Sequence, residues 1–265
     1  MKVLRLGHAT YVLTSEEGNR YMIDPFLSIN PGCPEKYTTP EFLSTMSAVF
    51  ITHGHFDHTG SLDELIKQNP ELPIVCQYDL GLILLQKGYK NVNLLNFGGT
   101  IDFNDVRVSM VQAMHTSSYA ETEGTPMYAG HPAGFIFNFN NDHTLYHSGD
   151  TTMMSDMKLI QDFYQPDIAI LSSSGQLVMG PEEAAYVVKN LLDVRYVIPN
   201  HQFPTLDDAP RPRVLEQMLA DFQVIETMMN KDEVLQSLLE DYDRTEVVVI
   251  PYGEEVEFSH VKEIP

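Results

Sequence analysis

Thr52-His53-Gly54-His55-Phe56-Asp57-His58-Thr59-Gly60 follows directly on Ala48-Val49-Phe50-Ile51. The four-residue run is apolar, β-branched and aromatic, the signature of a buried strand. The glycine-bearing segment after it breaks the strand pattern, so the histidines stand where a strand gives way to a loop. Such a place mounts side chains on a rigid support and still exposes several of them. His53 and His55 are two apart and point the same way in an extended segment, so both imidazoles can serve one cation. A turn at Phe56 aims Asp57 and His58 at a second point. Neutral imidazole suits zinc, iron and similar ions, and carboxylate suits harder ions as well. The chain has ten histidines, and three within six positions are more than a chance scatter would place in one polar loop.

Working outward, the HxHxDH pattern formed by His53, His55, Asp57 and His58 after an apolar strand resembles the metallo-β-lactamase superfamily. The resemblance implies further ligands, and the chain offers them in the expected order. His115 follows the strand-like stretch 106–113. Asp150 closes Leu145-Tyr146-His147-Ser148-Gly149-Asp150, and His201 follows Tyr196-Val197-Ile198-Pro199-Asn200. The wording His115-Thr116-Ser117-Ser118, Pro132-Ala133-Gly134-Phe135 and Met179-Gly180-Pro181-Glu182-Glu183 is similar to a branch of small bacterial metal-dependent hydrolases related to L-ascorbate-6-phosphate lactonase.

From the resemblance follows an α/β fold, the four-layer αββα sandwich of the metallo-β-lactamase type. It implies two divalent ions, zinc or manganese. His53, His55 and His115 hold one, Asp57, His58 and His201 hold the other, and Asp150 bridges. The implied activity is that of a binuclear metal-dependent hydrolase. A metal-bound hydroxide attacks a small ester, lactone or phosphoester, with Asp57 and Asp150 as the catalytic carboxylates. Ser117, Ser118 and Tyr119 are candidate donors to substrate. His131 is a candidate substrate ligand or general acid, or else a polar cap on the next strand. His8 either supports the metal site or is a satisfied polar residue at a strand end. His143 and His147 read as structural, and His260 as an exposed residue of the tail. Two alternatives remain open: an iron-dependent oxidoreductase of the persulfide dioxygenase kind on the same fold, and a non-catalytic metal-binding protein.

The remaining composition narrows the partners. At 265 residues with 43% apolar content, the chain can bury a sizeable core, and one domain over 1–265 is the simplest organisation. The net charge of −21 repels polyphosphate and anionic membranes, and no basic run interrupts it. A small-molecule substrate is therefore expected rather than nucleic acid or membrane, with a homo-oligomer left open. Two cysteines give no disulfide framework, and no stretch reaches the roughly 18 apolar residues of a membrane span. With a charged, short N-terminal segment, cytoplasmic residence is the default expectation.

Periodicity predicts three N-terminal strands, then a helix over 61–68 opened by a Ser61/Glu64 capping box. It further predicts a helix over 153–163, a hairpin of 135–139 with 144–148, and a closing strand at 247–250. A loop at 28–40 reads as a surface connection or a lid. An added helical segment lies at about 225–244, as a pocket cover, an oligomer contact or a solvated surface helix.

Overall fold

The computed structural model describes residues 1–103, 105–120, 124–140 and 142–259. His260 and parts of two expected loops, Asn141 and residues 121–123, lie outside the described residues. The strands are β1 (Lys2–Gly7), β2 (Thr10–Thr14), β3 (Arg20–Ile23), β4 (Ala48–Ile51), β5 (Ile74–Gln77), β6 (Val92–Leu95), β7 (Thr100–Asp102), β8 (Val106–Gln112), β9 (Ser118–Tyr119), β10 (Met127–Tyr128), β11 (Ala133–Phe139), β12 (Thr144–His147), β13 (Ile168–Ser172), β14 (Tyr196–Asn200), β15 (Glu246–Val247) and β16 (Glu255–Glu257). The α-helices are α1 (Pro40–Leu43), α2 (Phe56–Thr59), α3 (Leu62–Gln68), α4 (Tyr78–Gln86), α5 (Asp156–Tyr164), α6 (Pro181–Asn190), α7 (Pro212–Asp221) and α8 (Lys231–Leu239).

Two seven-stranded sheets result, in the orders β16-β1-β2-β3-β4-β5-β6 and β15-β14-β13-β12-β11-β8-β7. Each begins with antiparallel neighbours near the chain's hairpins and turns parallel where helical crossovers intervene. Parallel strands need cover on both faces, and both are covered. Between the sheets lie Tyr11, Leu13, Tyr21 and Phe50 from one side and Phe135, Phe137, Ile170 and Ile198 from the other. The outer face of the first sheet (Val12, Met22, Val49, Ile51) packs on Leu62 and Leu65 of α3 and Leu80 and Leu84 of α4. The outer face of the second (Ile136, Tyr146, Ala169, Val197) packs on Met157 and Ile160 of α5, Val187 and Val188 of α6, and Leu235 and Leu239 of α8. This is the expected αββα sandwich.

Several local expectations need correction. A short helix, α2, forms inside the histidine motif itself, because the turn at Phe56 continues for a full helical turn. Ser61 precedes α3 but does not cap it: its hydroxyl donates to Glu64 Oε1 at 3.1 Å and accepts from the Leu27 amide at 2.8 Å. That serine therefore ties Leu27, just ahead of the 28–40 connection, to the helix layer. Asn30, fully buried, pins the same connection through the carbonyls of Gly7 and Phe26, so it is packed down and does not hang free as a lid. Helix α5 begins at Asp156, three residues later than expected. The closing strand shrinks to β15, and β16, an unexpected acidic edge strand, completes the first sheet against β1. Helix α8 within the 225–244 stretch is an integral member of the outer layer over the second sheet.

Candidate metal centre

The strand ends bring the expected ligands together. His53 and His55 follow β4, His115 follows β8, Asp150 follows β12 and His201 follows β14, so both sheets deliver side chains to one place. Gly149 makes the approach of Asp150 feasible. Its φ is +60°, and a Cβ there would come within 2.3 Å of the Ala133 carbonyl oxygen and 3.2 Å of Thr52 Cβ. A bridge between His8 and Gln202 joins the two sheets beside the site.

The donor atoms form overlapping clusters: His53, His55 and His115; His8, Asp57, His58 and His201; and His53, His58 and Asp150. In the first, His53 Nε2 lies 2.9 Å from His55 Nδ1. In the second, Asp57 Oδ2 lies 3.6 Å from His58 Nε2 and 3.7 Å from His201 Nε2. Asp150 Oδ2 sits between the two groups, 2.9 Å from His201, 3.3 Å from His58, 3.8 Å from His115 and 3.9 Å from His53. The buried His58 Nε2 and Asp150 Oδ1 have no hydrogen-bond partner among the described residues. Buried polar atoms left so are costly, and a cation between them would engage them. The residues present fit a metal centre.

Supporting contacts fix which nitrogen faces inward. Asp24, fully buried, accepts from His58 Nδ1 at 2.8 Å, from the Thr52 amide at 2.7 Å and from the Thr52 hydroxyl at 2.8 Å. Since that hydroxyl donates to Asp24, it accepts from His53 Nδ1 at 3.0 Å, leaving His53 Nε2 with its lone pair inward. Ser174 Oγ contacts His201 Nδ1 at 3.0 Å. His8 Nε2 lies 2.9 Å from Asp57 Oδ2, and its ring stacks on Phe203 at 4.2 Å between centroids. Of the two readings of His8, the structure selects the supporting one. Asp24, Thr52 and Ser174 were not singled out from sequence. The one available signal was a carboxylate, Asp24, directly after the apolar strand Tyr21-Met22-Ile23. His8, Asp24 and His201 all take positive φ (45°, 50° and 66°), strain of a kind that gathers at functional sites.

Electrostatics divides the site. Burial favours a neutral Asp57, but the His58 ring and the hydrogen bonds to His201 and His8 outweigh it and hold that carboxyl well below its usual range. Asp150 is likewise held down against burial, by His201 and His58. Burial lowers His58, yet Asp150, Asp24 and Asp57 raise it well above its usual value. His201, similarly opposed by burial, is pushed up to about 9 by Asp150 and Asp57. His53, His55 and His115 all fall below their usual value, chiefly through burial. His8 and His147 drop to about 4 for the same reason.

The candidate substrate-binding residues lie outside the donor clusters. The buried Ser117 hydroxyl donates to the Ala129 carbonyl and accepts from the Gly54 amide, so it fastens the histidine loop. Ser118 and Tyr119 form β9, and Tyr119 packs on the outer-face cluster of the first sheet with Lys87 Nζ 5.2 Å from its ring. His131 is exposed, its ring 6.2 Å from that of Phe97 and 6.3 Å from that of Tyr128, and it joins none of the donor clusters. His147 is buried and accepts from the Gly149 amide, consistent with a structural part.

Comparison with known proteins agrees with this geometry. The family model described as a β-lactamase superfamily domain matches residues 19–202. A protein of Koribacter versatilis named as a metal-dependent hydrolase is 39% identical over 212 residues, 79% of this chain and 88% of that one. Among solved structures, a metallo hydrolase of the archaeon Ignicoccus hospitalis superposes with a TM-score of 0.77 at 23% identity, covering 98% of each chain. An isothiocyanate hydrolase from Delia radicum gut bacteria gives 0.71 at 19% identity, covering 98% of this chain and 100% of that one. Sequence, sheet order and strand-end histidines converge on one assignment: the chain belongs to the metallo-β-lactamase superfamily.

Proposed function

We propose that the protein is a hydrolase working with two divalent ions, zinc or manganese, on a small ester, lactone or phosphoester. His53, His55 and His115 would hold one ion and Asp57, His58 and His201 the other, with Asp150 shared. The observation that carries this reading is Asp150 Oδ2, which lies within 2.9–3.9 Å of ring nitrogens from both groups. When bound, such ions lower the pKa of a shared water towards about 7 and polarise the group under attack. The chain's own residues supply the frame. Asp24 and Thr52 fix the tautomers of His58 and His53, Ser174 orients His201, and neutral His8 holds Asp57 Oδ2. Such supporting contacts commonly matter 10- to 100-fold (on the order of) for metal affinity or activity. The strongly acidic chain supports a small-molecule substrate over nucleic acid. No helix among the described residues is long and apolar enough to cross a membrane.

Elemental analysis of untagged protein purified without chelator tests the reading, together with turnover of generic aryl esters and phosphodiesters. About two equivalents of zinc or manganese with turnover is the expected result. One equivalent of iron without hydrolysis would replace it with the oxidoreductase alternative.

A further inference from the structure

The loops around the centre share two properties that the ligand set does not require. Four of them carry a large apolar side chain that stays in solvent within three positions of a candidate ligand or of a residue supporting one. Phe56, between His55 and Asp57, is 56% exposed; Met114, beside His115, is 56%; Met153, after Asp150, is 44%; Leu177, after Ser174, is 47%. These loops are joined to one another. The Met114 amide donates to Thr151 Oγ1, the Thr152 amide to the Met114 carbonyl, and the Met179 amide to the Thr151 carbonyl. Met114, Met153 and Leu177 thus belong to one hydrogen-bonded set of loops at the carboxyl ends of the strands, and the Gly54 amide, donating to Ser117 Oγ, joins the loop of Phe56 to it. Scattered apolar exposure is ordinary, but four such side chains on the loops that carry the candidate ligands set apolar surface beside the donors.

The second property is the missing cation. Residues 52–60, 113–118, 149–155, 173–180 and 200–208 contain no lysine or arginine. Sites built for phosphate or carboxylate recognition ordinarily hold an arginine fork or a lysine to receive the anion. Within those segments the charged side chains outside the candidate ligand set are acids, Asp207 and Asp208.

We infer that the substrate is an uncharged carbonyl compound, an ester or lactone, whose acyl side is apolar and packs against Phe56, Met114, Met153 and Leu177. The inference rests on the hydrolase reading above and narrows it, setting aside phosphorylated substrates. The reaction adds one water. Its oxygen forms a bond to the carbonyl carbon and the carbon–oxygen bond to the leaving group breaks. One water proton ends on the departing alcohol, and the other is released from the carboxylic acid product.

The test uses matched pairs on the metal-loaded full chain. Turnover compares 4-nitrophenyl hexanoate with the 4-nitrophenyl monoester of adipic acid, of equal length with a terminal carboxylate. Binding, measured by calorimetry, compares hexanohydroxamic acid with the adipic monohydroxamate. The neutral member of each pair is expected to win by about tenfold or more, since the anion has no partner at the rim. Met114→Lys and Leu177→Lys should shrink that ratio. Phe163→Lys, at an exposed position of α5 near the end leading into β13, should leave it unchanged. Equal treatment of both members, or a ratio untouched by the rim variants, overturns the inference and leaves the hydrolase reading standing. Selective binding of the neutral hydroxamate without turnover of any ester would sink the hydrolase reading and leave the apolar selectivity in place. Failure to bind either hydroxamate overturns the inference.

Discussion

The two halves of the centre share histidines and are held in different ways. Around Asp57, His58 and His201, each donor is gripped from behind: Asp57 by His8, His58 by Asp24, His201 by Ser174. Around His53, His55 and His115 the grip loosens outward. His53 leans on Thr52 at 3.0 Å, His55 reaches the exposed Thr116 hydroxyl only at 3.5 Å, and the His115 ring has no hydrogen bond among the described residues. Their protonation differs as well. The gripped half combines the ionised Asp57 and the shared, ionised Asp150 with two histidines that keep their protons, whereas the looser half presents neutral imidazoles. One half is thus rigid and balanced in charge without a cation, and the other is open and ready for one. Rigidity costs proton competition, and readiness costs positional order.

This contrast can be broken most severely at the residue shared by both halves. Asp150→Ala should lower turnover by about 10³-fold or more while leaving the circular dichroism spectrum native, because it removes the charge joining the two groups. An active, metal-replete Asp150→Ala protein would contradict the arrangement. The next largest effect is in pH. His58 and His201 are raised, so protons occupy them at neutral pH and must leave before a cation enters the gripped half. Affinity there should therefore climb as pH rises towards about 9, the value of His201, by about tenfold per displaced proton for each pH unit. The looser half, with lowered histidines, should show almost no such dependence above pH 7. Calorimetric titrations in buffers of different ionisation enthalpy count the released protons, and identical counts for the two groups of donors would erase the distinction. Supporting residues separate the halves more finely. Asp24→Asn should weaken metal retention or activity by about 10- to 100-fold. Thr116→Val, which removes a long and exposed contact, should change either by no more than about twofold. Dialysis followed by elemental analysis reads both variants.

Much of this centre was legible in the chain because each group of candidate ligands follows an apolar strand. His53 after Ala48-Val49-Phe50-Ile51 and His201 after Tyr196-Val197-Ile198-Pro199-Asn200 obey the same local grammar, and the layered α/β pattern between them agrees with the sandwich that the family resemblance implies. The supports were not legible, since they depend on which strands become neighbours. Asp24 reaches Thr52 and His58 only because β3 and β4 run parallel with Ile23 opposite Phe50. Ser117 looked like a free hydroxyl until the chain placed Ala129 and Gly54 around it. Strand β16 escaped notice for a related reason. Glu255-Val256-Glu257 has little strand character of its own and becomes one by completing the edge that β1 leaves open.

Donors from both sheets have a consequence apart from chemistry. An ion clasped by His53 and His115, or by His58 and His201, ties chain positions far apart in sequence, as a cross-link does. Its binding energy is then also resistance to opening, and a loaded molecule should outlast an empty one under protease attack. Cellular abundance of this protein would accordingly follow the supply of its metal, with starved molecules cleared before they accumulate.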